Sequence, residues 1–309
     1  MKIRVLGSAA GGGYPQWNCN HPNSRRARGG DPAASPRTQS SLAVSANERD
    51  WVLFNASPDL RQQINQNPIL HPKQGLRDSP IKAVVLTNAD VDHVAGLLNL
   101  RESQPLRIYA TRRVLEVLQA NSIFNVLNPD YVRRETMALE KPVLIRTPAG
   151  THAGIRIVPF PVPGKVALWL ENPDQGSDFG TVKEDTIALE VRDSLDEIKF
   201  FYIPACAALT PELRGRLQGA ALVFFDGTLC RDDEMIVSQV GIKTGKRMGH
   251  MSVFGEGGTL AAFKDLDVTR KVFIHINTTN PILLEDSEER ALVNAAGWEV
   301  SWDGMDIQV

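Results

Sequence analysis

The sequence predicts a layered α/β protein that folds as a single domain over residues 1–309. Short runs rich in apolar and β-branched residues alternate with segments of helical periodicity, which is the pattern of sheets covered by helices. No repeat and no shift in composition divides the chain into two parts. A length of 309 residues would also suit two domains, but layered sandwiches of this size often form one.

The strands and helices are predicted from the spacing of apolar residues and from local start signals. Ser57 before Pro58 and Thr210 before Pro211 each indicate a helix N-cap followed by a proline in the first turn. The predicted strands cover residues 2–7, 41–45, 51–55, 81–87, 155–159, 186–191, 198–203, 221–226, 271–276 and 299–302. The predicted helices cover residues 57–66, 94–101, 111–120, 211–217, 257–263 and 287–296.

Two segments between these elements predict irregular structure. Residues 19–38 contain prolines, glycines and four arginines, and the prolines and glycines indicate a long irregular connection. This connection is either a functional loop or an ordinary solvated surface loop. Residues 171–183 are rich in Asn, Asp, Gln, Ser and Gly, and this composition favours a mobile flap over a domain linker.

Composition and charge exclude several functional classes. Lys plus Arg total 34 and Asp plus Glu total 36, so the net charge of −2 argues against a broadly basic nucleic-acid binder. No stretch approaches the roughly 18 apolar residues of a membrane span, and the first residues lack the hydrophobic region of a secretory signal. Three cysteines cannot form a disulfide framework, so a reducing cytoplasmic location without membrane insertion is expected.

A polar cluster follows the apolar strand predicted at 81–87, where ligand sites of α/β folds commonly lie. Side chains two apart in an extended segment point the same way, so Asn88, Asp90 and Asp92 can converge, with His93 turned towards them by the following helix. Carboxylates with an imidazole suit part of a metal site. The alternative is that Asn88 and Asp90 shape the turn and Asp92 caps the helix.

This cluster resembles a known signature. Residues 88–93, followed by Val-Ala-Gly-Leu, are similar to the His-x-His-x-Asp-His motif of the metallo-β-lactamase fold, with Asn88 and Asp90 replacing two histidines. Residues 249–252 resemble the Gly-His-Ser-Thr element of tRNA 3′-processing endonucleases of this fold. The strand before His275 resembles the one that presents the last metal-binding histidine. The resemblance implies a four-layer αββα sandwich, with two mixed β-sheets flanked by helices and metal at one sheet edge.

A longer set of motifs resembles the coenzyme PQQ synthesis protein B family over nearly the whole chain. These motifs lie at residues 7–20, 37–41, 55–59, 247–250 and 275–281. The resemblance implies a role in pyrroloquinoline quinone (PQQ) biosynthesis, with other proteins of that pathway as candidate partners. The family is regarded as an iron-dependent hydroxylase of the tyrosine ring in a cross-linked Glu–Tyr diamino acid. A carrier role for PQQ or its precursor towards the periplasm, and a metal-dependent hydrolase, are the alternatives.

The residues that remain at the signature favour one metal ion over two. Two signature histidines are absent, and residues 159–165, where such folds often supply another, contain none. The expected metal ligands are Asp90, Asp92, His93 and His275, a mixed set that suits non-haem Fe(II) with O₂ and an external reductant. Zinc binds such sites more tightly than Fe(II) and is expected to replace it during purification. The oligomeric state is open, with a homodimer as one candidate.

Further residues near these motifs are candidates for catalysis and substrate binding. We expect His250 in the pocket, as a proton donor and acceptor or as a further ligand. Asp226 either orients a ligand histidine, binds the metal or caps the next helix. Lys243, Lys246 and Arg247 either pair with carboxylates of an amino-acid substrate or are ordinary exposed charges.

A second candidate metal site lies near the start of the chain. The family commonly has Cys-x-Cys-x-x-Cys there, which suits a structural zinc, whereas this chain has Cys19, His21 and Ser24. Serine is a poor zinc ligand, so a closed site at Cys19 and His21 would need help from Cys206 or Cys230. The alternative is a buried Cys19 beside a surface histidine.

Overall fold

Two seven-stranded mixed sheets lie face to face in the computed structural model, which describes residues 1–172, 174 and 180–309. The first sheet has the strand order β14-β1-β2-β3-β4-β5-β6, and the second has β13-β12-β11-β10-β9-β8-β7. The strands are β1 Lys2–Gly7, β2 Ser41–Ser45, β3 Trp51–Phe54, β4 Ile81–Val85, β5 Leu106–Thr111, β6 Val132–Met137, β7 Val143–Arg146, β8 His152–Pro161, β9 Ile187–Arg192, β10 Ile198–Ile203, β11 Ala220–Asp226, β12 Val268–Ile274, β13 Trp298–Val300 and β14 Asp306–Gln308.

Helices join these strands and cover the outer faces of both sheets. The α-helices are α1 Pro22–Arg28, α2 Leu60–Gln66, α3 Val91–Val94, α4 Arg112–Ala120, α5 Pro211–Leu217, α6 Glu234–Val237, α7 Thr259–Ala262 and α8 Glu288–Ala295. Short 3₁₀ helices occupy Pro68–Leu70, Ala95–Leu100, Ser122–Val126, Leu168–Leu170, Lys246–Met248 and Pro281–Leu283. Within the described ranges, every helix is too short or too polar to cross a bilayer.

Three hydrophobic clusters define the layers. The central cluster joins residues of both sheets, such as Val5 and Phe54 from the first and Phe200 and Phe224 from the second. A second cluster lies between the first sheet and α2 and α4, and a third lies between the second sheet and α5 and α8. Helix, sheet, sheet and helix therefore follow one another, which confirms the expected αββα sandwich.

Each sheet is antiparallel in one part and parallel in the other. Strands β3 to β6 run parallel to one another, and so do strands β10 to β13. Ala9 forms bridges to both Gln39 and Ile276, so the loop after β1 connects the two sheets at one edge. The carboxyl ends of β4, β11 and β12 meet at this edge, and the polar loops that follow them are brought together there.

Most predicted elements are present. The boundaries of β1, β2, β10 and α5 match the prediction, and Thr210 caps α5 by accepting from the Leu213 backbone N–H at 3.2 Å. The prediction that Ser57 is an N-cap is wrong. Helix α2 starts at Leu60, and the Ser57 hydroxyl instead contacts the Gln63 side chain at 3.2 Å.

Other elements were not predicted. The strands β5, β6, β7 and β14 are absent from the sequence-based assignment, as is α1, which lies inside the connection predicted to be irregular at 19–38. Arg107 interrupts the apolar run of β5 and is buried only because Glu135 and the Thr147 carbonyl neutralise and bind it. Residues 173 and 175–179 of the flap predicted at 171–183 lie outside the described part of the chain.

Candidate metal centre

Asn88 fixes the loop that carries the first candidate ligands. Strand β4 ends at Val85 and α3 begins at Val91. The Oδ1 atom of Asn88 accepts hydrogen bonds from the Asp90 backbone N–H (3.0 Å) and from Nδ1 of His93 (2.5 Å). The turn-shaping role considered for Asn88 is therefore confirmed. Because Nδ1 of His93 donates to Asn88, the lone pair of that ring lies on Nε2, the atom available to a metal.

Asp92, His93 and His275 form a group whose ligand atoms all lie within 4.8 Å of one another. The Oδ2 atom of Asp92 is 2.9 Å from Nε2 of His275, and the centroids of the two imidazole rings are 5.3 Å apart. The Nε2 atom of His93 is buried and has no hydrogen-bond partner among the described residues. Such an orphaned nitrogen next to a carboxylate and a second imidazole fits a cation.

Asp226, His250 and His275 form a second group that shares one histidine with the first. Thr228 connects its members: the hydroxyl donates to Oδ1 of Asp226 (2.6 Å) and accepts from Nδ1 of His275 (2.8 Å). The Nδ1 atom of His250 donates to Oδ2 of Asp226 (2.7 Å). Asp226 thus orients two histidines, directly or through Thr228. It also accepts from the Thr228 backbone N–H, but the next helix, α6, begins at Glu234 with Asp233 as its N-cap, so the helix-cap role considered for Asp226 is wrong.

His275 is held in an unfavourable backbone conformation. Its φ angle is 60°, in the left-handed region that residues other than glycine rarely adopt. The residue follows β12 directly, and its ring lies between those of His93 and His250, 5.3 and 5.2 Å away. Strain of this kind is characteristic of functional positions because the surrounding contacts must maintain it.

Burial and mutual charge interactions shift the pKa values of all three residues of the first group. Burial raises the pKa of the Asp92 carboxyl, but the charges of His93 and His275 outweigh this effect and hold that pKa below its ordinary value. Burial lowers the pKa of His93. Burial also disfavours protonation of His275, but its hydrogen bond and charge interaction with Asp92 outweigh burial and raise its pKa. A metal ion would displace the proton that His275 shares with Asp92.

A cavity of about 620 Å³ opens over both groups, and this size suits a small organic ligand. Its floor is the turn after β1, where a Cβ atom added at Gly11 would lie 3.4 Å from Oδ2 of Asp92. Its wall and mouth are largely apolar, with exposed side chains that include Val91, Leu168, Trp169 and Ile242.

Asp90 lies outside both groups. Its Oδ2 atom is 3.5 Å from Nζ of Lys165, and its Oδ1 atom accepts a hydrogen bond from the Leu168 backbone N–H at 3.1 Å. The described geometry does not bring the Asp90 carboxylate into either group of candidate ligands, so its role as a metal ligand stays a prediction. Lys165 also lines the cavity and was missed, although it is the last residue of the segment in which a histidine was sought.

Glu171 is the second residue that sequence reasoning missed. Its carboxylate binds Nη2 of Arg247 at 2.6 Å and Nζ of Lys243 at 3.3 Å. Burial raises the pKa of Glu171, but these hydrogen bonds and charges outweigh it and hold that pKa below its ordinary value. Of the three predicted substrate-binding cations, Lys243 lines the cavity. Arg247 is paired with Glu171 and is not among the lining residues, and Lys246 is exposed and does not line the cavity either.

The second candidate metal site lacks a closed ligand set among the described residues. The Sγ atom of Cys19 accepts from the His21 backbone N–H at 3.5 Å, and Nδ1 of His21 accepts from the Asn23 backbone N–H as the N-cap of α1. Ser24 is buried, with its hydroxyl 2.9 Å from that of Thr278. In the part of the chain that is described, no cluster of three metal-binding side chains includes Cys19 or His21.

Comparison with known proteins agrees with this architecture. A family model described as the beta-lactamase superfamily domain matches residues 50–276. Coenzyme PQQ synthesis protein B of Gluconacetobacter diazotrophicus is 56% identical over 309 residues, and that of Xanthomonas oryzae pv. oryzae is 54% identical over 307, each covering 99% of both chains. The crystal structure of Zn²⁺-bound PqqB from Methylobacterium extorquens is 48% identical, covers 100% of both chains and has a TM-score of 0.93.

Proposed function

The chain belongs to the coenzyme PQQ synthesis protein B family within the β-lactamase superfamily, and on that premise we propose that it is a metal-dependent oxygenase of PQQ biosynthesis. The proposed reaction is hydroxylation of the tyrosine ring in the cross-linked Glu–Tyr diamino acid, with Fe(II), O₂ and an external reductant. The observation that carries the proposal is the donor set of Asp92, His93 and His275, since one carboxylate and two imidazoles are the ligands typical of non-haem Fe(II) oxygenases.

The same donor set explains why zinc is a competitor. Imidazole and carboxylate ligands accept both metals, and intrinsic affinity favours zinc over Fe(II). The related protein from Methylobacterium extorquens was crystallised with Zn²⁺. When bound, Fe(II) supplies the redox chemistry that O₂ activation needs, which zinc cannot supply.

His250 is the candidate for proton transfer to the substrate. It lines the cavity, and the bond from its Nδ1 to Asp226 fixes the ring. Its Nε2 makes no hydrogen bond within the described ranges and is free to take the proton of a phenol. Loss of that proton raises the electron density of the ring carbon atoms, which favours attack by an electrophilic oxidant.

The cavity wall offers contacts for both parts of the proposed substrate. Lys165 and Lys243 place ammonium groups at the wall, where they can pair with the carboxylates of an amino-acid-derived molecule. Leu168 and Trp169 provide apolar surface for the aromatic ring. The charges on Glu171 and Asp90 keep these cations in place before the substrate arrives.

The direct test begins with anaerobic loading of the protein with Fe(II) or with zinc. The diamino acid, a reductant and isotopically labelled O₂ are then added, and the product is analysed by mass spectrometry. We expect labelled oxygen in the product of the iron-loaded protein and no product with zinc. Turnover with zinc in the absence of O₂ would instead establish a hydrolase, and tight binding without turnover of any kind would establish a carrier.

A pair of variants tests the ligand assignment separately from activity. Asp92→Asn should lose stoichiometric Fe(II) and Zn²⁺, because the amide replaces the charged oxygen that lies 2.9 Å from Nε2 of His275. Asp90→Asn is the matched control and should retain the metal, because its carboxylate contacts Lys165. Equal metal loss in both variants would show that Asp90 is also a metal ligand.

A further inference from the structure

We propose that a second cleft, built around Arg37, binds a small hydrophilic carboxylate anion. This cleft, called here the Arg37 cleft, has a volume of about 570 Å³ and lies on the side of Gly12 and Gly13 away from the metal-centre cavity. Gly12 lines both cavities, so the two sites lie back to back. The proposal depends on the Arg37 guanidinium alone and is independent of the proposed oxygenase reaction.

The guanidinium of Arg37 is buried and makes no hydrogen bond or ion pair in the described part of the chain. Only 7% of the residue is exposed, and its Nε atom is fully buried without a hydrogen bond. The backbone of Arg37 pairs with that of Tyr14 in both directions, at 2.8 and 2.6 Å, so the main chain is fixed at this residue. By contrast, the equally buried Arg107 is bound by Glu135 and by the Thr147 carbonyl.

A buried charge without a partner is costly, because burial removes the water that would otherwise solvate it. Burial accordingly lowers the pKa of Arg37. Arg37 is one of the residues that line the open cleft. A guanidinium at such a position can recover this cost by binding an anion, and its planar set of N–H donors matches a carboxylate. In the described part of the free protein, the Arg37 charge therefore has no ion-pair partner at short range.

The acidic side chains near Arg37 meet its requirement for negative charge only in part: the charges of Asp303 and Glu285 attract the guanidinium, but neither acid forms an ion pair with it in the described part of the chain. Asp303 accepts hydrogen bonds from Ser8 and Thr38, and Asp59 accepts from Gln39, so the carboxylates are engaged by neutral groups. These same acids would repel a doubly charged ion. A singly charged carboxylate is therefore favoured over phosphate.

The remaining wall indicates a hydrophilic ligand. The exposed Gln62 and Gln66 from α2 and the buried Asn67 line the cleft, and their amides can donate to or accept from a polar molecule. Arg4 also lines the cleft, with its charge already paired with Asp306 at 2.7 Å. Arg37 is thus the group that selects the anion.

The test measures anion binding to the purified full chain, with the singly charged carboxylates acetate and glycolate and with inorganic phosphate as probes. In calorimetric titration and thermal unfolding, we expect saturable binding of the carboxylates with an increase in Tm. Arg37→Gln should weaken this binding about tenfold or more. In anion-free buffer, the same variant should melt at or above the temperature of the unmodified protein, because an unpaired buried charge has been removed.

Two further variants guard against a folding effect. Arg61→Gln removes the same charge from an exposed position on α2 outside the cleft, and its carboxylate affinity should equal that of the unmodified chain. Gln62→Glu adds a negative charge at the exposed cleft wall and should weaken binding several-fold. Absence of saturable binding, binding that survives Arg37→Gln, or tighter binding of phosphate than of carboxylates would overturn the proposal.

Discussion

Replacing Thr228 with valine should weaken metal binding although Thr228 is not itself a ligand. Its hydroxyl donates to Asp226 at 2.6 Å and accepts from Nδ1 of His275 at 2.8 Å. The second bond keeps the proton of His275 on Nδ1 and leaves Nε2 for the metal. Valine has nearly the same shape but supplies neither bond, so the ring of His275 loses its fixed orientation.

The magnitude follows from these contacts. Loss of a hydrogen-bond partner that orients a ligand histidine typically reduces metal affinity by about 10–100-fold. Asp226 is fully buried, so leaving one of its oxygens with fewer donors should also lower the free energy of unfolding by about 1–3 kcal/mol. The two effects are separable, because metal affinity is measured on the folded protein.

The assay is a competition titration of Zn²⁺ against a chromophoric chelator, repeated with Fe(II) under anaerobic conditions. Thr228→Ser is the matched control: it retains the hydroxyl and loses only a methyl group, so its affinity should remain close to that of the unmodified protein. If the valine variant binds metal as tightly as the serine variant, the hydroxyl does not orient His275 and the reasoning fails.

Three further predictions test the surroundings of the site. Burial raises the pKa of Glu234 to about 7, so between about pH 4.5 and 7 the folded protein keeps a proton that the unfolded chain releases, and stability falls as pH rises through this window. Urea unfolding should show a loss of at most about 3 kcal/mol that disappears in Glu234→Gln, and an equally steep pH dependence in that variant would contradict the assignment. Lys243→Gln should raise the KM for a carboxylate substrate, whereas Lys246→Gln should not, since only Lys243 lines the cavity; equal KM values for both would remove Lys243 from substrate binding. Gly96→Ala should destabilise the fold by at least about 1–3 kcal/mol, because its Cβ would lie 2.1 Å from the Ser57 carbonyl oxygen, and an unchanged denaturation midpoint would argue against this close packing.

The elements that the sequence predicted best are those with strong local signals. Strand β1 and helix α5 have the apolar spacing and the cap that define their ends, so their boundaries were predicted correctly. Strand β5 was missed because Arg107 is buried by a tertiary ion pair with Glu135. Local hydrophobicity cannot indicate burial that depends on a partner 28 residues away.

The candidate site shows the same division. The order of Asn88, Asp92 and His93 in one turn after an apolar strand is a local property, and it was sufficient to predict a cluster at the carboxyl end of that strand. The pairing of Asp90 with Lys165 instead of with the cluster depends on a separate loop 75 residues further along the chain, whose position no local pattern reveals.

The sequence by itself determined which chemical groups are present, how they are spaced in their own turns, and which family they resemble. Only the tertiary structure decided that His275 meets Asp92 across 183 positions of the chain and that Thr228 holds the ring of this histidine. The physical reason is that the edges of two separate sheets meet only when their apolar faces pack together. The free energy of that packing is distributed over the apolar residues of the whole core. The identities of the ligand residues therefore do not reveal which of them the packing brings together.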